Sequence, residues 1–367
     1  MKKINFASNI IFSGVSILVL VSPLIPPSAG WIFGFTAFLI PLFILLNLAH
    51  LIYLLLQRSY LAFIPGMLLI WAYPFLPATF SMHNHQAVAA TPQQLSVLSY
   101  NVSYFRKTPH WKKFQHIYTD PEKNQSAIQA KSWLQAHEAD IYCFQEFYDD
   151  PDSDIFNMVN TLAPDSTYSV YLSGIFHHRK PIFLNGVAII SKFPIIQRGE
   201  VSTDTDQQAN RSIFADILLN EDTIRIVNLH FHSMMLNPLP TSKNFSSLIR
   251  YVKDTYAKVK SGLLIREQQA EMTLDFINKS PYPVIVAGDF NEIPFGYVYR
   301  MFSQHLDNAF AEVGNGFGFT LNTAFPFLRI DHQFYDADAF EATRFTTLRN
   351  IKVSEHYPIQ AVYRFSK

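Results

Sequence analysis

Hydrophobic positions follow two regimes along this chain, and the change comes at about residue 80. Before it, three runs at about 9–25, 31–56 and 60–80 carry scarcely a polar interruption. Each is close to the ~20 apolar residues with which a helix crosses a bilayer, so three spans are expected, with two spans and a re-entrant segment as the alternative. Pro41, Pro65, Pro74 and Pro77 fall inside these runs, where membrane helices tolerate proline but are bent or shortened by it. Residues 81–94, polar and small with Pro92, read as a linker.

From residue 95 onward the apolar runs are short and alternating, as in half-buried strands. Strands are expected at Leu95–Tyr100, Asp140–Phe144, Gly186–Ser191, Arg329–Phe334 and Ile359–Arg364, with a hairpin of Ile213–Leu219 and Thr223–Leu229 turned at Asn220-Glu221-Asp222. Helical spacing marks Pro121–His137, Phe245–Val259 and Leu263–Asn278. The last of these leads into Pro283-Val284-Ile285-Val286-Ala287-Gly288-Asp289-Phe290-Asn291, an apolar strand that ends by presenting a carboxylate and a carboxamide. Strand alternation would set Asp289 and Asn291 on one side and Phe290 on the other. Residues 95–367 are long enough for one large domain.

Charge sharpens the division. Residues 1–80 contain Lys2, Lys3 and Arg58 and no Asp or Glu, a membrane composition. Lys2 and Lys3 ahead of an apolar run also suit a signal peptide, but Pro23, Pro26 and Pro27 follow without a small-residue cleavage pattern and further apolar runs come next, so an anchor is expected. The positive-inside rule puts the N-terminus and Arg58 on the cytoplasmic side and Ser22–Gly30 on the far side. Three spans then carry everything after Phe80 out of the cytoplasm, which for an inner-membrane protein is the periplasm. Removing those three cations from the 29 of the whole chain leaves 26 basic against 29 acidic residues, a balance that disfavours general affinity for a nucleic-acid backbone. The single cysteine, Cys143, lies in an apolar run and reads as a buried thiol.

Asn101, Glu146, His230, Asp289, Asn291, Asp331 and His356 each stand at or near the end of an expected strand. Arg211 and Asn185 join them as candidate substrate contacts, the first as a phosphate clamp, although packing or surface roles suit both as well. The set offers carboxylates, carboxamides and imidazoles without a glycine-rich phosphate loop or a serine or cysteine nucleophile. Oxygen donors of this kind suit a hard cation such as Mg²⁺, with Mn²⁺ as the alternative, whereas zinc would want clustered His or Cys. A cation with a His–Asp pair is what phosphoester hydrolysis by an activated water requires. Asp331 could instead serve its own neighbour His332 as a plain hydrogen-bond partner.

The order Asn101, Gln145-Glu146, Asn228-Leu229-His230, Gly288-Asp289-Phe290-Asn291, Arg329-Ile330-Asp331 and Ser354-Glu355-His356 resembles the endonuclease/exonuclease/phosphatase family, with its deoxyribonuclease-I-like fold, over nearly all of residues 95–367. The resemblance implies a four-layer α/β sandwich of the α+β type, with two mainly antiparallel sheets face to face and helices outside. It implies Mg²⁺-dependent cleavage of a phosphodiester or phosphomonoester. By position, Glu146 matches the metal-binding glutamate and Asn101 the asparagine that organises metal and phosphate. Asp289 matches the residue that orients or deprotonates the water, with Asn291 as a transition-state donor. His356 matches the histidine on the scissile phosphate, Asp331 the carboxylate that orients it, and His230 the second histidine. Two positions depart from the family pattern: Glu355 stands where the family's closing Ser-Asp-His has aspartate, and Ser103 where some members have a further metal-binding aspartate.

A membrane-anchored, extracytoplasmic phosphoesterase is the resulting expectation, with a lipid or lipid-linked phosphate ester as the favoured substrate and no protein partner. An extracytoplasmic nuclease and a catalytically silent membrane-anchored binding module are the alternatives.

Overall fold

The computed structural model describes residues 2–83, 94–105, 124–165, 167–176, 182–203, 210–234, 244–323 and 327–366. The chain packs as two units, one of residues 1–80, 234–268 and 293–301, the other of residues 81–233, 269–292 and 302–367.

In the first unit the apolar runs fold as α1 (Lys2–Leu20), α2 (Pro27–Thr36), α3 (Ile40–Leu56), α4 (Phe63–Ala72) and α5 (Phe75–Thr79). Pro27 opens α2 at a position where a missing N–H costs nothing. One short turn joins α2 to α3, so that Pro27–Leu56 forms a 30-residue apolar stretch which, like the 19-residue Phe6–Leu24, is long and apolar enough to cross a membrane. Polar side chains zip α1 to α3: Asn47 donates to Ser16 Oγ at 3.0 Å, and His50 Nε2 lies 2.5 Å from Asn9 Oδ1. These pairings are antiparallel and place the start of α1 and the end of α3 at one end of the hairpin, where the sequence puts all three cations. The third apolar run is two shorter helices, interrupted at Tyr73-Pro74 because proline offers no N–H to continue the first. Large apolar side chains point out of the helices, Leu45 and Ile70 among them.

The second unit contributes β1 (Ser81–Met82), β2 (Gln94–Asn101), α6 (Gln125–Ala136), β3 (Ile141–Gln145), α7 (Met158–Leu162), β4 (Ser169–Phe176), β5 (Phe183–Ser191), β6 (Ile195–Thr203), β7 (Arg211–Leu219) and β8 (Asp222–His230). It continues with β9 (Val284–Asp289), β10 (Asp307–Asn308), α10 (Ala309–Val313), β11 (Asn315–Gly316), β12 (Asp331–Tyr335), β13 (Phe340–Thr347) and β14 (Ile359–Phe365). The remaining helices, α8 (Phe245–Asn278) and α9 (Tyr297–Ser303), each begin in the first unit and end in the second. One six-stranded sheet runs β13-β14-β2-β3-β5-β4 and the other β10-β12-β9-β8-β7-β6, while β1 pairs with β11. All neighbours are antiparallel except β2 with β3 and β8 with β9.

Alternation decides the layers. In β2 and β3, Leu95, Val97, Ile141 and Cys143 share one core with Ile213, Ala215, Ile226, Ile285 and Ala287 of the facing sheet. Leu98, Tyr100, Tyr142 and Phe144 on the opposite face pack with Ala127, Ala130 and Leu134 of α6. Burial pushes the Cys143 thiol well above the ordinary range, so it is an inert core residue.

Several expectations change here. Strands β4, β6 and β13 lack a clean apolar alternation and were absent from the sequence reading; pairing with a neighbour rather than local pattern makes them strands. The two helices expected at 245–259 and 263–278 are one, because Gly262 in mid-helix costs only ~1 kcal/mol relative to alanine. The expected linker opens as β1, Gln94 belongs to β2, and residues 84–93 lie outside the described residues, as do residues 121–123 at the start of the helix now seen from Gln125.

Candidate active site

Each sheet has its one parallel pair near the middle, and parallel neighbours end at the same edge. Asn101 lies level with Gln145, and His230 level with Asp289. Strand β12 starts where β9 ends, so Asp331 pairs with Asp289. His356 precedes β14, whose first residue Ile359 is level with Ser99 near the end of β2. Topology therefore brings to one rim residues that are far apart in the chain.

Side chains close the constellation. Asn101 Nδ2 donates to Asp289 Oδ2 at 3.0 Å and lies 3.3 Å from Glu146 Oε1. Its Oδ1 accepts from Ser103 N at 3.1 Å, which turns the NH₂ rather than the oxygen toward the carboxylates. Asn101, expected among the metal ligands, is thus oriented as a donor that holds two carboxylates in place. His230 Nε2 stands 3.6 Å from Asp289 Oδ2 and 3.8 Å from Glu146 Oε1, buried and with no hydrogen bond to either ring nitrogen among the described residues. His356 Nε2 is 3.7 Å from Asp289 Oδ2, and its Nδ1 donates to Asp331 Oδ2 at 2.9 Å. Asp331 serves His356 and not its neighbour: His332 turns away and donates through Nε2 to the Glu292 carbonyl at 2.9 Å.

Asn291 does not continue the strand. At φ 50° it lies in the left-handed region, its N–H donates to Asp289 Oδ1 at 2.9 Å, and its Nδ2 donates to the Phe231 carbonyl at 2.9 Å. Asparagine tolerates this conformation because its short polar side chain bonds locally. The backbone is bent in the same sense at Glu146, with φ 50°, and at Ser103, Tyr104 and Phe105, with φ 43°, 56° and 59°. Such conformations in non-glycine residues cost on the order of 1 kcal/mol each and persist where surrounding bonds enforce them. Here Tyr104 N donates to the Glu146 carbonyl at 3.0 Å, and Phe105 N to the Val102 carbonyl at 2.7 Å.

Charge distribution divides the site in two. Burial alone would depress the His356 imidazole, but the carboxylates of Asp331, Asp289 and Glu146 outweigh it and push its pKa up to about 10. Burial raises the Asp331 carboxyl and the imidazolium pulls it back. Glu355 is also raised, by burial foremost; the charge of His356 pulls it back and that of Glu146 adds to the rise, so two carboxylates share one region that a cation would relieve. Asp289, Asp331 and His356 each offer a ligand atom within 4.8 Å of one another. The His356–Asp331 contact is a hydrogen bond, however, and the oxygens of Glu146 and Asp289 beside the unbonded His230 ring are the better fit to a hard cation.

A folded-state pKa above the unfolded value of 6.5 means that imidazolium formation stabilises the fold fully below pH 6.5, and that this contribution is lost as the pH rises through about 10. In chelator-treated protein, histidine NMR should therefore show His356 titrating far above 6.5, and Asp331→Asn should bring it down toward that value. Titration of His356 at an ordinary pH in the unmodified protein would refute this electrostatic picture.

Arg211 is engaged by Ser173 Oγ at 2.7 Å and Glu200 Oε1 at 2.8 Å, the environment of a neutralised structural cation. Asn185 is buried near Tyr104, whose phenol burial foremost and the charge of Glu146 next push upward. Sequence reading assigned no role to several positioning residues. Gln145 Nε2 donates across the sheets to Asn228 Oδ1 at 2.7 Å, and Asn228 Nδ2 donates to the carbonyls of Phe144 and Ala188, both at 2.9 Å. Ser354 Oγ donates to the Asn101 carbonyl at 2.6 Å and accepts from His356 N at 3.1 Å. Thr320 Oγ1 accepts from the backbone of Ile330 and Asp331. Polar residues inside apolar strands were the available signal for Gln145 and Asn228; Thr320 lies in an irregular segment and had none.

Comparison with known proteins supplies the context. A family model described as Endonuclease/Exonuclease/phosphatase family matches residues 98–356. A second, described as a domain of unknown function, matches residues 2–79. No curated protein sequence matches the chain. Among solved structures, an endonuclease/exonuclease/phosphatase family protein of Bacteroides thetaiotaomicron is 18% identical with a TM-score of 0.52, over 76% of this chain and 100% of that one. The human Nocturnin catalytic domain with bound sulfate anion is 16% identical with a TM-score of 0.50, over 76% of this chain and 96% of that one. A Bacteroides vulgatus structure titled endonuclease/exonuclease/phosphatase is 14% identical with a TM-score of 0.50, over 74% and 99%. At these identities the likeness shows the fold alone.

Proposed function

The chain belongs to the endonuclease/exonuclease/phosphatase family, whose members are hydrolases acting on phosphate esters, and from that premise we propose that it is a membrane-anchored, divalent-metal-dependent phosphoesterase. The observation that carries the reading is the convergence of Glu146, Asp289, His230 and the His356–Asp331 pair at one rim, tied together by Asn101.

Glu146 and Asp289 would hold the cation, with Glu355 close enough to feel the charge of Glu146. Mg²⁺ suits these oxygens, and Mn²⁺ would serve the same donors. When bound, the cation neutralises phosphoryl oxygens and lowers the barrier to attack. The protein's own groups do the rest. Asp289, its carboxylate fixed by Asn101 Nδ2 and Asn291 N, orients the water and accepts its proton. His356 enters protonated and places Nε2–H on the phosphoryl group, where negative charge grows in the transition state. Asp331 fixes the tautomer and angle of that ring. His230, buried and unbonded, is suited to contact the phosphoryl group from the opposite side.

Residues 1–80 are read as the anchor, with the catalytic domain of residues 95–367 outside the cytoplasm and a phospholipid or lipid-linked phosphate as the substrate. Two apolar helices of spanning length and the cations at one end of their hairpin support the anchor, and the extracytoplasmic placement requires α4 and α5 together to make a third crossing. Tethering favours a lipid substrate by raising its local concentration.

The test uses the full chain in lipid nanodiscs, offered phospholipids, single- and double-stranded nucleic acids and small phosphoesters, with Mg²⁺ or with chelator. Turnover of a phospholipid that vanishes with chelator and in Glu146→Ala is the expected result. Preference for nucleic acid would replace the lipid reading with the nuclease one, and turnover indifferent to chelator would remove the metal.

A further inference from the structure

One face of α8 changes character along its length. At 100° per residue, positions 245, 248, 249, 252, 256, 259 and 263 form a single stripe, and every one of them is apolar. Val259 and Leu263 are 2% and 4% exposed, whereas Phe245, Val252 and Tyr256 are 76%, 56% and 53% exposed, with Leu248 and Ile249 uncovered beside them. The same helix face that packs against protein from Val259 onward therefore stands open for its first three turns. A contiguous exposed apolar stripe of this kind marks a surface that something covers.

What lies beside it identifies the cover. Tyr256, the last open residue of the stripe, meets Trp31 of α2 edge to face, with ring centroids 4.5 Å apart. Leu263 packs on Gly34, where an added Cβ would come within 2.9 Å of it. Glu267 accepts from Ser28 N at 2.7 Å and from Ser28 Oγ at 2.6 Å, a carboxylate at the N-terminal turn of α2. All three contacts fall on the first turns of the Pro27–Leu56 apolar stretch, the end of a membrane-length helix and not its middle. Trp and Tyr are the residues that membrane proteins concentrate at that level. Charge agrees: Arg250, Lys253, Lys258 and Lys260 stand against Asp254 over the same turns, with Lys253 and Lys260 flanking the stripe where their stems can lie along apolar surface and their ammonium groups reach headgroups.

We propose that residues 245–256 of α8 form an interfacial membrane helix, lying along the bilayer surface with the Phe245–Tyr256 stripe in the acyl boundary and the flanking lysines on anionic headgroups. It rests on the reading of residues 1–80 as a membrane anchor. The chain would then touch the bilayer twice, through spanning helices and through an amphipathic helix that leads directly toward the catalytic strand β9.

Environment-sensitive labels on the full chain test this. Single cysteines are placed at Leu248→Cys and Val252→Cys on the stripe, at Asp254→Cys on the opposite face and at Leu45→Cys on the outward face of α3; all four positions are exposed, and the native Cys143 is buried. The proteins are reconstituted in phosphatidylglycerol–phosphatidylethanolamine vesicles, with iodide in the water and nitroxide-labelled lipids as quenchers. Labels at 248 and 252 should be quenched by shallow lipid nitroxides and be about threefold less accessible to iodide than the label at 254. If 45 is lipid-quenched but 248 and 252 match 254 in iodide access, the interfacial helix is wrong and the anchor stands. Stripe labels hidden from iodide and lipid alike would mean that protein covers the stripe, which also overturns the proposal. Failure of lipid quenching at 45 as well would remove the anchor and the interfacial helix together.

Discussion

Asp289→Asn should lower kcat by about a thousandfold while leaving KM close to its original value, the signature of a group used in the transition state more than in binding. The substitution is isosteric, but the bonds from Asn101 Nδ2 and Asn291 N, 3.0 and 2.9 Å long, end on different carboxylate oxygens, so the single amide oxygen keeps the one from Asn291 N and the amide NH₂ loses the one from Asn101. What disappears is a proton acceptor, one of the negative charges that hold His356 protonated and a charged oxygen for the cation. With Mg²⁺ saturating, the losses act on the chemical step. Steady-state kinetics on the substrate selected by the panel, with unfolding curves to verify the fold, would measure the effect; a loss of less than tenfold would assign the water's proton to another group.

The largest effect on stability is expected one residue earlier. Gly288 has φ +155°, and a Cβ there would sit 2.0 Å from the Leu229 carbonyl oxygen and 2.9 Å from the Leu229 N and C. These are backbone atoms of the neighbouring parallel strand, level with Gly288 in the ladder, so they cannot give way without opening the β8–β9 pairing that carries His230 and Asp289. Gly288→Ala should cost about 3 kcal/mol or more, a fall in melting temperature of roughly 6–12 °C for a domain of this size, and should abolish activity with it. Thermal unfolding of the full chain decides the matter. A melting temperature within a degree or two of the parent would show that the two strands can separate locally at little cost.

Much of this architecture was legible without coordinates, because its signals are local. Val284–Asp289 reads as a strand from its apolar run, and so does Ile141–Gln145, while the Asn220 turn at φ 57° joins the hairpin where a polar triplet interrupts two alternating segments. Strands β4, β6 and β13 were not legible, since edge and near-edge strands are held by one neighbour and tolerate weak patterns. The break between two helices at Ser261-Gly262 was an over-reading of glycine. Packing of the surrounding seam, with Val259 and Leu263 both buried, carries α8 straight through it.

At the site the division is the same. Residue type and strand-end position marked Glu146, Asp289, His230, Asp331 and His356, and the structure brings them to one rim. Arg211 was marked for its charge, but Glu200 and Ser173 already occupy its guanidinium. Which partner Asp331 takes, His332 beside it in sequence or His356 across the rim, is a question of direction that adjacent numbering cannot answer. Asn291 was placed by strand alternation, and a left-handed turn placed it otherwise.

By itself, then, the sequence determined the two regimes of the chain, most central strands and the chemical types gathered at their ends, because periodicity and residue chemistry are properties of neighbours in the chain. Tertiary structure alone decided that Asn101 turns its NH₂ to Asp289, 188 residues away, that His356 is held as a cation, and that one half of an otherwise buried stripe on α8 stays open. Each of these depends on the distance and orientation of groups that meet only when the sheets close. Electrostatic and packing energies vary with that geometry over a few ångströms, a scale on which sequence separation carries no information.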